Sequence, residues 1–110
     1  VQVPAGTGEE PVEATDSAQT RKFTVDGSNF KFSPATLKVK KGDNVVITFR
    51  SSGGIHDLVM DELDVATNQV GDGEEEEVEF VADTSGTFKY YCSVNGHRKM
   101  GMEGTLTVEP

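Results

Sequence analysis

Segments in which apolar and polar residues alternate recur along most of this chain, from residue 21 to residue 109. Because side chains on a β-strand point alternately to its two faces, a period of two predicts strands that bury one face. In one such segment, Val45, Ile47 and Phe49 fall on the same side. Short turns containing glycine separate the segments, and no segment has a clear helical period. The pattern therefore predicts an all-β sandwich or barrel.

Two segments are less straightforward than the rest. In residues 29–34, the alternation predicts that Phe30 and Phe32 share a buried face. Residues 56–73 are the least regular, and the pattern there predicts a short strand followed by a long excursion with one helical turn. No finer structure is predicted for that excursion.

The first twenty residues have a different composition. They contain proline, glycine, threonine, serine and glutamate, but no aromatic residue and no apolar period. Such a segment cannot bury enough apolar surface to offset the entropy of ordering, so we predict a flexible acidic leader or tether over residues 1–20. Residues 21–110 are predicted to form one domain, because 110 residues suit a single core. The chain begins at Val1 without an apolar signal region, as expected of a processed or truncated form.

The chain is acidic, with 19 Asp and Glu residues against 10 Lys and Arg residues. A formal net charge of −9 argues against nucleic acid as a partner, because phosphate binding needs clustered basic side chains. The acidic run Glu74–Glu77 is predicted to be a solvated face. No apolar run approaches the roughly 20 residues of a membrane-spanning helix, so no transmembrane segment is predicted in this chain.

The chain contains one cysteine, Cys92, at the end of a predicted strand. A single cysteine excludes an internal disulfide and leaves three interpretations: a buried apolar thiol, a nucleophile or a metal ligand. Catalysis by the thiol would need a neighbouring base and an oxyanion hole, and the sequence contains no motif for them. The residues around Cys92 distinguish among these interpretations.

Two further donor side chains follow Cys92 at equal intervals, His97 after four intervening residues and Met102 after four more. His56 comes at the end of another predicted strand, after a flexible Ser-Ser-Gly-Gly segment. A thiolate, two imidazoles and a thioether are the donor set of a blue-copper site. Their joint occurrence at this spacing favours a copper site over an isolated buried thiol. Both histidines are used in that site, so none remains for the further copper centres of a multicopper enzyme.

Over residues 21–109 the sequence resembles the cupredoxins, the family that includes plastocyanin, azurin, auracyanin and rusticyanin. The family's opening strands are matched by FKFSPATLKVKKGDNVVITFRSS and its first histidine segment by IHDLVM. Its ligand loop and last strand are matched by GTFKYYCSVNGHRKMGMEGTLTV. The four-residue gaps on both sides of His97 are most similar to the pattern of auracyanin and rusticyanin.

The resemblance implies a cupredoxin-like Greek-key β-sandwich of about seven to eight strands that binds one type 1 copper ion. His56, Cys92 and His97 would be the equatorial ligands and Met102 the axial ligand. The implied function is that of an electron carrier, not an enzyme, which shuttles single electrons between redox partners as copper cycles between Cu(I) and Cu(II). Copper storage or delivery through the same ligands is the alternative hypothesis, and a metal-free adhesion module is a third.

Neighbouring residues are assigned secondary roles. Met100 follows His97 too closely to return to the ion and is predicted to cover the rim of the site, while Met60 is predicted to pack in the core. Asp57 stands where the family commonly has an asparagine that braces the cysteine loop, so this ionisable residue is expected to change the loop's stiffness or the reduction potential. The carbonyl of Ile55 precedes the first histidine, where azurin brings a backbone carbonyl toward copper.

His97 is predicted to lie near the surface and to pass electrons through its imidazole edge to redox partner proteins that dock beside it. An apolar rim that includes Val94 and Met100, with Ile55 adjacent, would suit brief contacts. Arg98 with Lys99 would add a positive spot that orients the partner. The protein is expected to act as a monomer in the periplasm or another extracytoplasmic location. A membrane tether upstream of the chain is also expected, from the resemblance and the composition of the leader.

Overall fold

The computed structural model describes residues 19–110. The predicted leader, residues 1–20, lies outside the described residues except for Gln19 and Thr20. Among the described residues, the first strand begins at Thr20, one residue before the predicted start of the folded domain.

Residues 19–110 form nine strands and two short 3-10 helices. The strands are β1 (Thr20–Ser28), β2 (Lys31–Ser33), β3 (Thr36–Lys40), β4 (Asn44–Ser51), β5 (Val59–Met60), β6 (Val65–Ala66), β7 (Glu75–Val81), β8 (Gly86–Tyr91) and β9 (Glu103–Glu109). The 3-10 helices span Asp61–Leu63 and Arg98–Met100. None of the helices in the described part of the chain is long and apolar enough to span a membrane.

The all-β prediction is confirmed, with more strands than expected. The number exceeds seven to eight because the irregular segment contains two strands of only two residues each, β5 and β6. The single helical turn expected in that segment is the 3-10 helix between them.

The strands form two sheets. One sheet has four strands in the order β2-β1-β4-β7, and the other has five in the order β3-β9-β8-β5-β6. β1 pairs with β4 in parallel and β9 pairs with β3 in parallel, whereas the other neighbours are antiparallel. Because β3 and β4 are consecutive in the chain but lie in different sheets, the chain crosses between sheets as in a Greek-key sandwich.

The core lies between the sheets and is built from the alternating apolar residues. Val45, Ile47 and Phe49 of β4 are each 0% exposed, as the period of two predicts. The Phe32 ring meets the rings of Phe49 and Tyr90 edge to face, with centroid distances of 5.9 Å and 5.1 Å. This geometry is the one that aromatic pairs prefer, so the core between β2, β4 and β8 is specifically packed.

Tyr90 connects this core to the segment that carries the cysteine. Its hydroxyl donates a hydrogen bond to the Pro34 carbonyl at 3.0 Å, and burial raises the pKa of Tyr90 to about 12. A Cβ atom at Gly104 on β9 would lie 2.3 Å from the Tyr90 ring, so the ring requires glycine there. Since Tyr90 and Cys92 are two residues apart, both face the interior, and both are 0% exposed.

A buried carboxylate anchors the other end of β4. Asp43 is 3% exposed and accepts hydrogen bonds from the backbone N–H groups of Gln19 and Lys40 and from Nε of Arg21. These contacts fix the start of β1 beside the turn between β3 and β4. At about 3.3 Å per residue, Asp43 lies roughly 26 Å along the chain from Ser51, where the segment leading to His56 begins.

Candidate metal centre

Three donor side chains that are distant in sequence converge at one end of the sandwich. His56 follows β4, whereas Cys92 and His97 follow β8. One ligand atom from each residue lies within 4.8 Å of the other two. The Cys92 sulfur is 3.9 Å from Nδ1 of His56 and 3.5 Å from Nδ1 of His97. The sequence-predicted thiolate and imidazole donors are therefore brought together.

The spacing of these atoms fits a metal ion. With bond lengths such as zinc forms, about 2.3 Å to sulfur and about 2.0 Å to nitrogen, a trigonal arrangement separates sulfur from nitrogen by about 3.7 Å. The two observed separations, 3.9 Å and 3.5 Å, lie on either side of that value. The donor types, one sulfur and two imidazole nitrogens, are those that copper accepts in trigonal sites. The residues present thus fit the copper ion that the donor set implies.

Burial shifts the pKa of two of the donors, Cys92 and His56, in the metal-free protein. Burial raises the pKa of the Cys92 thiol, so the sulfur holds its proton more firmly than an exposed cysteine does. Burial lowers the pKa of His56, and the nearby His97 lowers it further, so the imidazole is neutral at pH 7. A neutral imidazole is ready to bind metal, whereas the thiol must lose its proton.

The orientation of His56 also suits a ligand at Nδ1. The side chain is 1% exposed, and its Nε2 atom has no hydrogen-bond partner among the described residues. Nδ1 is the nitrogen that faces the Cys92 sulfur. With the ring proton on Nε2, the lone pair of Nδ1 points toward the cluster.

The structure places the three methionines in different environments. Met102 is 0% exposed, and its methyl carbon would lie 3.0 Å from a Cβ atom at Gly27, so the side chain packs inward against β1. Met60 is also 0% exposed, which confirms that it packs in the core. Met100, by contrast, is 60% exposed, as expected of a residue at the rim. Met102 is thus a methionine of the ligand loop directed into the interior.

Backbone hydrogen bonds close the loop from Cys92 to Met102. The N–H of Cys92 donates to the carbonyl of Met102, and the N–H of Met102 donates to the carbonyl of His97, both at 3.2 Å. The 3-10 helix Arg98–Met100 starts directly after His97 and is followed by its C-cap residue Gly101, whose φ of 105° favours glycine. The loop is therefore shaped by its own backbone as well as by any ion.

Asp57 links the two segments that carry the donors. It is 4% exposed, and one carboxylate oxygen accepts the Ser93 N–H at 2.6 Å while the other accepts the Ser93 hydroxyl. The backbone N–H groups of Asp57 and Val94 favour the thiolate and so lower the pKa of Cys92, against the larger effect of burial, which raises it. The residue after His56 thus braces the residue after Cys92, as expected of this position.

Phe30 is a site residue that the sequence analysis missed. It precedes β2, has a φ of 77°, and meets the His97 ring edge to face at a centroid distance of 5.1 Å. The prediction that it shares the buried face of Phe32 is wrong, because the left-handed backbone at Phe30 turns the ring toward His97. Its half-burial outside the core cluster agrees with that placement. A strained bulky residue beside a site is a recurrent signal of function, but it is visible only in coordinates.

Each of the two segments that carry the histidines has an exposed apolar side chain, and the charge near His97 differs from the expected one. Ile55 and Met100 are 54% and 60% exposed. Arg98, predicted to help form a positive spot, is paired with Glu103 at 2.7 Å and lies over the Tyr91 ring at 4.0 Å. The expected positive spot is therefore reduced, because the charge of Arg98 is partly neutralised.

Comparisons with known proteins agree with this site. A family model of copper binding proteins, the plastocyanin/azurin family, matches residues 19–109. Plastocyanin from Daucus carota is 31% identical over 97 residues, which cover 79% of this chain and 96% of that protein. Dithionite-reduced auracyanin from the photosynthetic bacterium Roseiflexus castenholzii superposes with a TM-score of 0.73 at 21% identity, covering 81% of this chain and 97% of that one.

A copper-containing nitrite reductase from Thermus scotoductus is also similar in structure. Its TM-score is 0.72 at 28% identity, and the match covers 83% of this chain. It covers only 28% of the reductase chain. The similarity thus extends over nearly all of the small copper proteins but over only part of this enzyme.

Proposed function

Because the chain belongs to the plastocyanin/azurin family of copper-binding proteins, we propose that it is a small one-electron carrier with a single type 1 copper ion. The proposed ligands are Nδ1 of His56, the thiolate of Cys92, Nδ1 of His97 and the thioether of Met102. The observation that supports this proposal best is the convergence of two imidazole nitrogens on one buried cysteine sulfur.

Bound copper would supply a couple between Cu(II) and Cu(I) that takes up and returns one electron. The protein's own contribution is a fixed environment for that exchange. Cys92 and His56 are 0% and 1% exposed, so they exclude water from the site. Hydrogen bonds from Ser93 to the Asp57 carboxylate and within the ligand loop hold the metal-binding side chains in one arrangement. Four protein ligands would leave no open position for a substrate, which favours a carrier over an enzyme.

We propose that redox partner proteins dock beside His97. The His97 side chain is half-buried, whereas Cys92 is fully buried, so His97 is the donor residue nearer to the surface. Ile55 and Met100, exposed by more than half, provide an apolar rim. Such a rim suits small, short-lived contacts, which a carrier needs because it must leave one partner to reach the next. The monomer carries all four proposed ligands, so we expect the protein to act as a monomer.

We further propose that the protein works in the periplasm or another extracytoplasmic location, where a membrane tether upstream would hold it. Support comes from the family to which it belongs and from the composition of residues 1–20. Fractionation of cells that express the full gene tests this location, and recovery of the protein only from the cytoplasm would contradict it.

The visible spectrum of the copper-loaded protein tests the site. Loading with one equivalent of Cu(II) is expected to produce an intense visible band, because the Cys92 thiolate would donate charge to the metal. Cys92→Ser removes the sulfur and is expected to lose the band, whereas Met100→Leu changes a rim methionine and is expected to keep it. A colourless wild-type protein, or an equally coloured Cys92→Ser variant, would exclude the proposed site.

A further inference from the structure

We propose that Asp57 is a positioning residue whose buried negative charge lowers the reduction potential of the copper site. This role presupposes the proposed function, since a potential is defined only for the copper-loaded protein. The carboxylate would act through the residue it holds, Ser93, and through the field it adds beside the donors.

Within residues 19–110, Asp57 is a buried carboxylate without a cationic partner. Its side chain contacts Ser93 through both oxygens, and the residue is 4% exposed. The ion pairs found within residues 19–110 are Arg21 with Asp43, Lys38 with Glu109 and Arg98 with Glu103. None of them includes Asp57. A buried charge that only neutral donors solvate is costly, and an adjacent metal cation would compensate it.

The other buried aspartate shows the contrast. Asp43 is buried to the same extent, at 3% exposed, but it lies 3.1 Å from Nε of Arg21. It therefore has its own counter-charge, and it lies at the far end of β4. Asp57 immediately follows His56, and its partner Ser93 immediately follows Cys92. Of these two buried carboxylates, only Asp57 is placed to act on the charge of the metal site.

The direction of the effect follows from electrostatics. One electron converts Cu(II) to Cu(I), so reduction removes one positive charge from the site. A fixed negative charge nearby stabilises the more positive state and therefore lowers the reduction potential. At an effective dielectric constant of about 20, two unit charges about 10 Å apart interact strongly enough to shift an equilibrium by on the order of tenfold.

Asp57→Asn separates the charge from the hydrogen bonds. Asparagine has nearly the same shape, and its carbonyl oxygen can accept the Ser93 N–H while its amide group donates to the Ser93 hydroxyl. The geometry of the brace is kept and the negative charge is lost. The visible band is expected to stay, while the equilibrium with a one-electron mediator shifts by about tenfold toward Cu(I). A tenfold shift corresponds to a potential about 59 mV higher for one electron.

Two measurements report this shift without any partner protein. The first is an equilibrium titration of copper-loaded wild type and Asp57→Asn against a redox mediator. The second is the ratio of Cu(II) to Cu(I) affinities, measured by competition with chelators, which must change by the same factor because the two quantities are linked. Asp61→Asn is the matched control, since Asp61 is an exposed carboxylate on the neighbouring Tyr91 hydroxyl. Solvent screening should limit its effect to about twofold.

An unchanged or lower potential in Asp57→Asn would overturn the proposal. If that variant does not load copper, Ser93→Ala tests the proposal instead. This substitution removes the hydroxyl that donates a hydrogen bond to the Asp57 carboxylate, and so leaves more of the carboxylate's charge uncompensated. A lower potential than wild type then supports the role of Asp57, and an equal or higher potential refutes it. Failure of the wild type itself to bind copper would instead refute the proposed function.

Discussion

Replacement of Tyr90 by phenylalanine is expected to destabilise the protein at neutral pH and to stabilise it at alkaline pH. The hydroxyl of Tyr90 donates to the Pro34 carbonyl at 3.0 Å, and the side chain is 0% exposed. At pH 7, loss of one hydrogen bond should lower the free energy of unfolding by about 1 kcal/mol. The core itself keeps its aromatic ring, so no cavity is created.

The difference in stability at alkaline pH follows from the raised pKa of Tyr90. Burial raises the pKa of Tyr90 from 10.0 to about 12 in the folded protein. Between these values the unfolded chain loses the phenolic proton and the folded protein keeps it, so wild-type stability falls as pH rises from 10 to about 12. Two pKa units correspond to at most 2.7 kcal/mol, or about 2 kcal/mol after allowance for partial screening. Tyr90→Phe has no phenolic proton at this position, so its stability does not fall for this reason.

The two effects predict a crossing of the stability curves. Tyr90→Phe is expected to be less stable than wild type by about 1 kcal/mol at pH 7, equal to it between about pH 10.5 and 11, and more stable by about 1 kcal/mol at pH 12. Urea unfolding of the metal-free proteins, followed by circular dichroism at each pH, measures the difference. All other titrating groups are common to both proteins. A difference that stays constant from pH 7 to pH 12 would refute the raised pKa.

The remaining predictions concern the site. Met102→Leu is expected to keep the visible band but raise the reduction potential, because loss of the thioether donor disfavours Cu(II). Met100→Leu should change neither the band nor the potential. Equal effects of the two substitutions would contradict the assignment of Met102 as the ligand. Phe30→Ala removes a ring contact with His97 worth about 1 kcal/mol, so copper loss to a chelator should accelerate by roughly fivefold. An unchanged rate would exclude a role for the Phe30 ring in holding His97. Lys99→Glu should slow the oxidation of the reduced copper-loaded protein by anionic hexacyanoferrate(III), most strongly at low salt. A rate that this substitution does not change would show that the exposed lysine does not steer the encounter.

Much of the fold could be predicted from the sequence because alternation reports local geometry. A strand such as β4 buries every second residue whatever its partners are, so Val45, Ile47 and Phe49 were identifiable as core residues. The donor residues were identifiable because Cys92 and His97 lie in one loop at a fixed interval and His56 ends a different strand.

The remaining features depend on contacts between distant residues or on backbone shape. The hydrogen bond from the Ser93 N–H to the Asp57 carboxylate joins positions 36 residues apart, so their pairing cannot be predicted from spacing. Phe30 follows the alternation of its segment, yet a φ of 77° removes it from the strand and directs it to His97. Similarly, the pairing of Arg98 with Glu103 forms only when the ligand loop folds back onto β9.

Repeated one-electron cycling of the copper-loaded protein, with the copper content measured after each cycle, tests the claim that the protein is an electron carrier. A carrier should bleach with one equivalent of reductant, regain its colour with one equivalent of oxidant, and keep its copper in the presence of a Cu(I) chelator over many cycles. Transfer of the copper to the chelator on the first reduction would contradict the account and indicate copper storage or delivery instead.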